Sequence, residues 1–282
     1  MERFFESADG LEIYYRDYAP PEPGGLPILC LHGLTRNSRD FESIASVLNA
    51  RHRVIAFDFR GRGRSDYDPD WSNYHPAQYV TDVWKLIDIL EIDRMALIGT
   101  SLGGMMSVLM QHERPDAIAG VVLNDVGPRL DPDGIARVVA NAGKLPISPD
   151  RDGAITATRE NYGHAYPDWD ESQWQWFADI TYQRLADGRY DLNFDRNIGV
   201  AARKGVSGLR TDPWQLFAKL KYKPVLLVHG ALSDILTNEI VAEMRDVKTD
   251  LEVVVVPNRG HAPVLDEPEA QNAILEFMER LD

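Results

Sequence analysis

Along most of its 282 residues the chain alternates short, continuous apolar runs with stretches in which apolar side chains return every three or four positions. The runs at residues 28–31, 54–57, 95–98, 121–123, 225–228 and 253–256 have no polar alternation, and they read as strands buried on both sides. The periodic stretches place Phe41, Ile44, Ala45 and Leu48 on one helical face, and likewise Val80, Val83, Ile87 and Leu90. Ile240, Val241, Met244 and Val247 form a third such face, and Ala270, Ile274, Phe277 and Leu281 a fourth. Strand then helix, repeated, predicts parallel strands joined by right-handed crossovers with helices on both faces: a doubly wound α/β core. Ahead of it, two strand-like runs flank Asp9-Gly10, a dipeptide suited to the positive φ angles of a tight hairpin, so an antiparallel entry is expected.

The alternation fails between about residues 127 and 221, where the text turns to "PRLDPDG", "PISPDRDG" and "AYPDWDESQWQWF". The expected organisation is therefore core at 1–127, an inserted helical cap at 128–221 and core again at 222–282. Four of the six tryptophans, Trp169, Trp174, Trp176 and Trp214, lie in the insertion, beside Phe177. Most of these aromatics are expected to give a small helical unit its own core, with one or two facing a ligand.

The stretch "LIGTSLGG" sets Ser101 between Gly99 and Gly103, where an apolar strand gives way to a helix. Such a turn strains the backbone, and glycines remove the Cβ atoms that would strike the neighbouring strand and helix. The hydroxyl then stands exposed at the carboxyl edge of the sheet, at a helix N-terminus that favours developing negative charge. A serine hydroxyl is a poor nucleophile without a base, and the base needs an acid to orient it. The segment "NRGHAPVLDEPE" places His261 in the loop after the last strand, and "VHGALSD" places Asp234 at the same edge one strand earlier. The order Ser101, Asp234, His261 is that of a nucleophile elbow with its partners. For the oxyanion, the backbone N–H groups of Leu34, in "LCLHGLTRN", and of Leu102 are the expected donors, with His32 fixing their loop by hydrogen bonding.

Together "HGLT", "FDFRGRGRSD", "GTSLGG" and the pairing of "GALSD" with "GH" resemble the α/β-hydrolase superfamily over nearly the whole chain. The resemblance implies a mostly parallel eight-stranded sheet with one antiparallel strand, a helical cap over the site, and no cofactor. It also brings in Asp125, in "VVLNDVGP", as the alternative acid, since some members place the acid at the end of that strand; Asp234 stands in the more usual "SD" setting.

Charge and composition narrow the partners. With 30 basic against 44 acidic residues the net charge is −14, which repels nucleic acid and anionic lipid, and no run is apolar enough to span a membrane. The lone Cys30 lies in an apolar run and reads as a buried core thiol, which fits a cytoplasmic location. His52, His75, His112, His164 and His229 show no metal-ligand spacing and are expected to be surface or structural. "DYDPDW" opens like a calcium loop but lacks its glycine and its glutamate, and "RGRGRSD" lacks the third glycine and the lysine of phosphate loops. The latter is expected to be a turn with Arg60, Arg62 and Arg64 near the pocket mouth. The expected activity is hydrolysis of a small carboxylic ester or lactone through an acyl-enzyme on Ser101. A carbon–carbon bond hydrolase or a perhydrolase would use the same residues, and a non-catalytic small-molecule receptor is the contrasting class.

Overall fold

The computed structural model describes residues 1–282 apart from residue 23 and residues 206–210. The chain enters through β1 (Glu2–Glu6) and β2 (Glu12–Tyr18), a hairpin whose turn holds Gly10 at φ +88°. Next come β3 (Ile28–Leu31), α1 (Glu42–Leu48), β4 (Val54–Phe57), α2 (Pro76–Ile89), β5 (Met95–Thr100), α3 (Leu102–Glu113) and β6 (Ile118–Asn124). The insertion contributes α4 (Pro132–Asn141), α5 (Arg151–Tyr162), α6 (Glu171–Thr181), the hairpin β7 (Tyr182–Arg184) and β8 (Tyr190–Leu192), α7 (Asn197–Arg203) and α8 (Pro213–Ala218). The chain closes with β9 (Val225–Gly230), α9 (Asn238–Val247), β10 (Glu252–Val256) and α10 (Pro268–Leu281).

Eight strands form one sheet in the order β1-β2-β4-β3-β5-β6-β9-β10, with β2 antiparallel to both neighbours and the other pairs parallel. Side chains leave it alternately up and down, so each run feeds two cores. Leu29, Leu97, Val121 and Leu227 pack with α2, α3 and α8, whereas Cys30, Ile98, Val122 and Leu226 pack with α1 and α10. Cys30 is wholly buried, and burial pushes its thiol far up from its usual range. The parallel strands end on one edge, so the loops after β3, β5, β6, β9 and β10 converge there.

The segment expected as a cap differs from the sequence picture in two ways. Its last part folds with the core: Leu216 and Phe217 of α8, and Leu220 after it, share the buried cluster of Leu109 and Met110 on α3. Trp214 stacks edge-on against Phe217 there, away from any roof. The segment also holds a two-stranded hairpin, too short to show a run of β-branched residues. The aspartates in the irregular text are helix caps: Asp131, Asp150 and Asp170 accept the first free N–H groups of α4, α5 and α6. Trp169, Trp174 and Phe177 pack with Tyr166 as a separate small core.

Candidate active site

Ser101 occupies the turn between β5 and α3 at φ 51°, ψ −113°, a conformation that costs an L-residue energy and survives only where its surroundings leave no alternative. Packing supplies that constraint. A Cβ on Gly99 would meet the Gly103 carbonyl, and one on Gly103 would run into the carbonyl oxygen of Leu31 on β3. The Ser101 N–H donates to Asn124 O at 3.0 Å, tying the turn to β6.

Two of the expected site residues are brought together: Ser101 Oγ lies 2.9 Å from His261 Nε2. The acid is where the structure departs from the first expectation. His261 Nδ1 is 2.8 Å from Asp125 Oδ2, and Asp234 is bonded instead by Arg137, whose Nε and Nη2 donate at 2.9 and 2.8 Å. The physical reason is local. Asp125 directly follows β6 at φ 53°, and its wholly buried carboxylate sits among donors: His229 Nδ1 at 3.1 Å, the Gly230 N–H at 3.0 Å and the Ser233 hydroxyl at 2.6 Å. Burial pushes its carboxyl up, but the bonds from His229, His261 and Ser233 outweigh that and hold it below the usual range. Asp234 lies further along the same loop with its side chain 43% exposed, turned toward α4.

The two expected oxyanion donors come from the loop after β3 and from the start of α3. Leu102 opens α3 directly after Ser101, and Leu34 lines the same cleft. Neither N–H donates to a protein acceptor among the described residues. The Phe59 N–H donates to His32 Nε2 at 3.1 Å, so the proton sits on Nδ1, which donates to Gly33 O at 2.7 Å. In a trans peptide, fixing that carbonyl also fixes the opposed N–H of Leu34. Burial, then Arg62, holds the His32 imidazole far below its usual range, so it stays neutral.

The arginines of "RGRGRSD" are not at the mouth as a group. Arg60 is buried on Asp82, Asp68 and Asp9, and Arg64 pairs with Glu2 on the outside. Arg62 is buried too, and donates from Nε to Leu34 O at 3.0 Å beneath the oxyanion loop. Among the other histidines, His229 braces Asp125 and His164 lines the cleft, two contacts the spacing did not announce.

The cleft above Ser101 has a volume of about 120 Å³. Its apolar wall includes Leu34, Phe41, Phe177 and Phe194; none of the tryptophans reaches it, and the aromatic side chains that the inserted segment brings to it are Tyr162, Tyr166, Phe177 and Phe194. The inserted segment also grips the loop that carries His261: the Gly260 N–H donates to Ala165 O at 2.7 Å, and Tyr166 Oη donates to Ala262 O at 2.8 Å. Among the described residues no group of three or more His, Cys, Asp or Glu could hold a metal ion, and no helix is long and apolar enough to cross a membrane.

Known proteins share this architecture. A family described as "alpha/beta hydrolase fold" matches residues 27–268. The 3-hydroxybutyrate-oligomer hydrolase of Cupriavidus necator is 34% identical over 254 residues, 88% of this chain and 86% of that protein. The 2-(acetamidomethylene)succinate hydrolase of Mesorhizobium japonicum is 31% identical over 243 residues, covering 85% and 83%. The crystal structure of an alpha/beta hydrolase from Novosphingobium aromaticivorans superposes with a TM-score of 0.93 at 38% identity, over 99% of this chain and 98% of that one.

Proposed function

This chain belongs to the alpha/beta hydrolase family and is a hydrolase, and we propose that it cleaves a short carboxylic ester through an acyl-enzyme on Ser101. The observation that carries this reading is the unbroken chain of hydrogen bonds from Ser101 Oγ through His261 to the buried Asp125. In the reaction, His261 Nε2 takes the hydroxyl proton as Oγ attacks the acyl carbon. Asp125 keeps the imidazole in the tautomer that presents a bare Nε2, and stabilises the imidazolium that forms. The carbonyl oxygen gains its charge beside the N–H groups of Leu34 and Leu102 and the N-terminus of α3. The imidazolium then protonates the departing alkoxide. Water, deprotonated by the same nitrogen, clears the acyl group and regenerates the serine.

Cleft size supports a small acyl group: a cavity of about 150 Å³ holds a benzene molecule, so 120 Å³ suits a chain of a few carbons. The relative from Cupriavidus necator is named for hydrolysing 3-hydroxybutyrate oligomers, and a short oligoester of a hydroxy acid is the substrate class we assign to this chain.

Treatment with a fluorophosphonate probe tests the reading. One adduct per chain on Ser101, together with cleavage of p-nitrophenyl butyrate and loss of both in Ser101→Ala, is the expected result. A folded wild-type protein that takes no label and cleaves no ester overturns it.

A further inference from the structure

We propose that Arg137 is the anchor for a free carboxylate on the substrate, so that the cleft prefers acid-bearing esters to neutral ones of the same shape. The proposal rests on the serine-hydrolase reading and adds the far end of the substrate to it.

The cleft lining is mixed. Beside its apolar side chains it includes Arg137, Asn141, Asn161 and His164 of the inserted segment. Two guanidinium groups reach this space, and they are in different states. Arg36 spends every edge on the protein: Nε and Nη2 on Asp40, Nη1 on Thr181 at 2.7 Å, and its plane on the Phe177 ring at 4.0 Å. Its charge is consumed in holding the cap to the core. Arg137 uses only the edge formed by Nε and Nη2, both on Asp234, while Nη1 makes no hydrogen bond among the described residues.

A guanidinium is planar and offers two edges to carboxylates, so a second carboxylate can dock where Asp234 does not. The pair is part-exposed, 34% for Arg137 and 43% for Asp234, and a pair in that setting is weak and screened by water. Asp234 therefore steers the guanidinium more than it silences it. Arg137 shares the cleft face of α4 with Val138 and Asn141, one and four positions on. His164 faces the pair; burial, then the charge of Arg137, holds its imidazole below the usual range, so at neutral pH it brings no second cation. With a net charge of −14 the molecule as a whole repels anions, so an acid-bearing substrate needs a local cation of this kind.

The test compares the linear dimer of 3-hydroxybutyrate with its terminal carboxamide, which has the same shape without the charge. Wild-type enzyme is expected to favour the free acid at least about tenfold in kcat/KM, chiefly through KM. The ratio should shrink as sodium chloride rises from about 0.05 to about 0.5 M. In Arg137→Gln it should approach one, with part of it kept in Arg137→Lys. Because each number is a ratio within one preparation, general loss of activity cancels; should the Gln variant not fold, the wild-type ratio and its salt dependence decide. Equal wild-type rates on the two dimers overturn the carboxylate anchor and leave the serine-hydrolase reading standing. Failure of the fluorophosphonate to label Ser101, with no ester cleaved, removes both.

Discussion

Asp125 and Asp234 stand past the ends of adjacent strands, β6 and β9, on the same edge of the same sheet, and end in opposite circumstances. Asp125 is wholly buried beneath His261, with donors on both oxygens; Asp234 is part-exposed and faces one arginine. The difference teaches that an acid is made by what surrounds it. A buried carboxylate stays ionised only when its neighbours replace the hydration it lost, and the loop after β9 supplies that replacement to Asp125 through His229, Gly230 and Ser233. Asp58 sharpens the contrast. It too is buried, but among the described residues it accepts two backbone N–H groups, from Ser38 and Arg64, and burial drives its carboxyl up to about 6.

The largest expected effect comes from exchanging the acid. Asp125→Asn should lower kcat on p-nitrophenyl butyrate by about 10⁴-fold, because the amide presents the wrong tautomer of His261 to the serine. Steady-state kinetics on folded protein measure this, and a loss below tenfold would break the comparison at its root.

Next in size is a stability effect of opposite sign in the two buried acids. Asp58 has a raised folded value, so its contribution is full below about 3.8 and is lost as pH rises through about 6, on the order of 3 kcal/mol at 1.36 kcal/mol per unit. Asp125 has a lowered one, so its contribution is present above about 3.8 and is lost as pH falls through the folded value. Urea midpoints collected from pH 3 to 7 should therefore lose the downward slope between about 4 and 6 in Asp58→Asn, and lose part of the acid-side fall in Asp125→Asn.

Removing one brace is milder. Ser233→Ala deletes the hydroxyl 2.6 Å from Asp125 Oδ2, the oxygen that also holds His261, and should cost about tenfold in kcat, with Ser233→Thr restoring most of it. The smallest effect belongs to the other aspartate. Asp234→Asn should slow cleavage of neutral p-nitrophenyl butyrate by only a few-fold, as an exposed pair is worth about 1 kcal/mol or less. A loss rivalling that of Asp125→Asn would restore Asp234 as the acid.

The parallel core was legible because its strands are buried on both faces, and a run such as "LPILCLHG" has no other comfortable reading. The sharp turn at Ser101 was legible for a different reason: glycines at 99 and 103 have a steric purpose only if the chain turns sharply there. The choice between the two acids was not, because it depends on the turn at Asp125 and on donors that arrive from more than a hundred residues away. The insertion was least legible. Its helices are short and begin on capping aspartates in stretches such as "PRLDPDG", which in text look like loop. Likewise α8 packs on the core although nothing in "DPWQLFAKL" says which neighbour its apolar face will meet.

Gly260 and Ala262 are neighbours of the imidazole in sequence, and both are held by residues of the inserted segment, Ala165 and Tyr166. His261 thus has two landlords. Grafting a foreign lid onto this scaffold to change selectivity would also unseat His261, the base of the proposed mechanism, unless the graft carries an equivalent carbonyl and phenol at those two places. The same hydrogen bonds mark where a chimera should be spliced: on either side of residues 165–166, never through them.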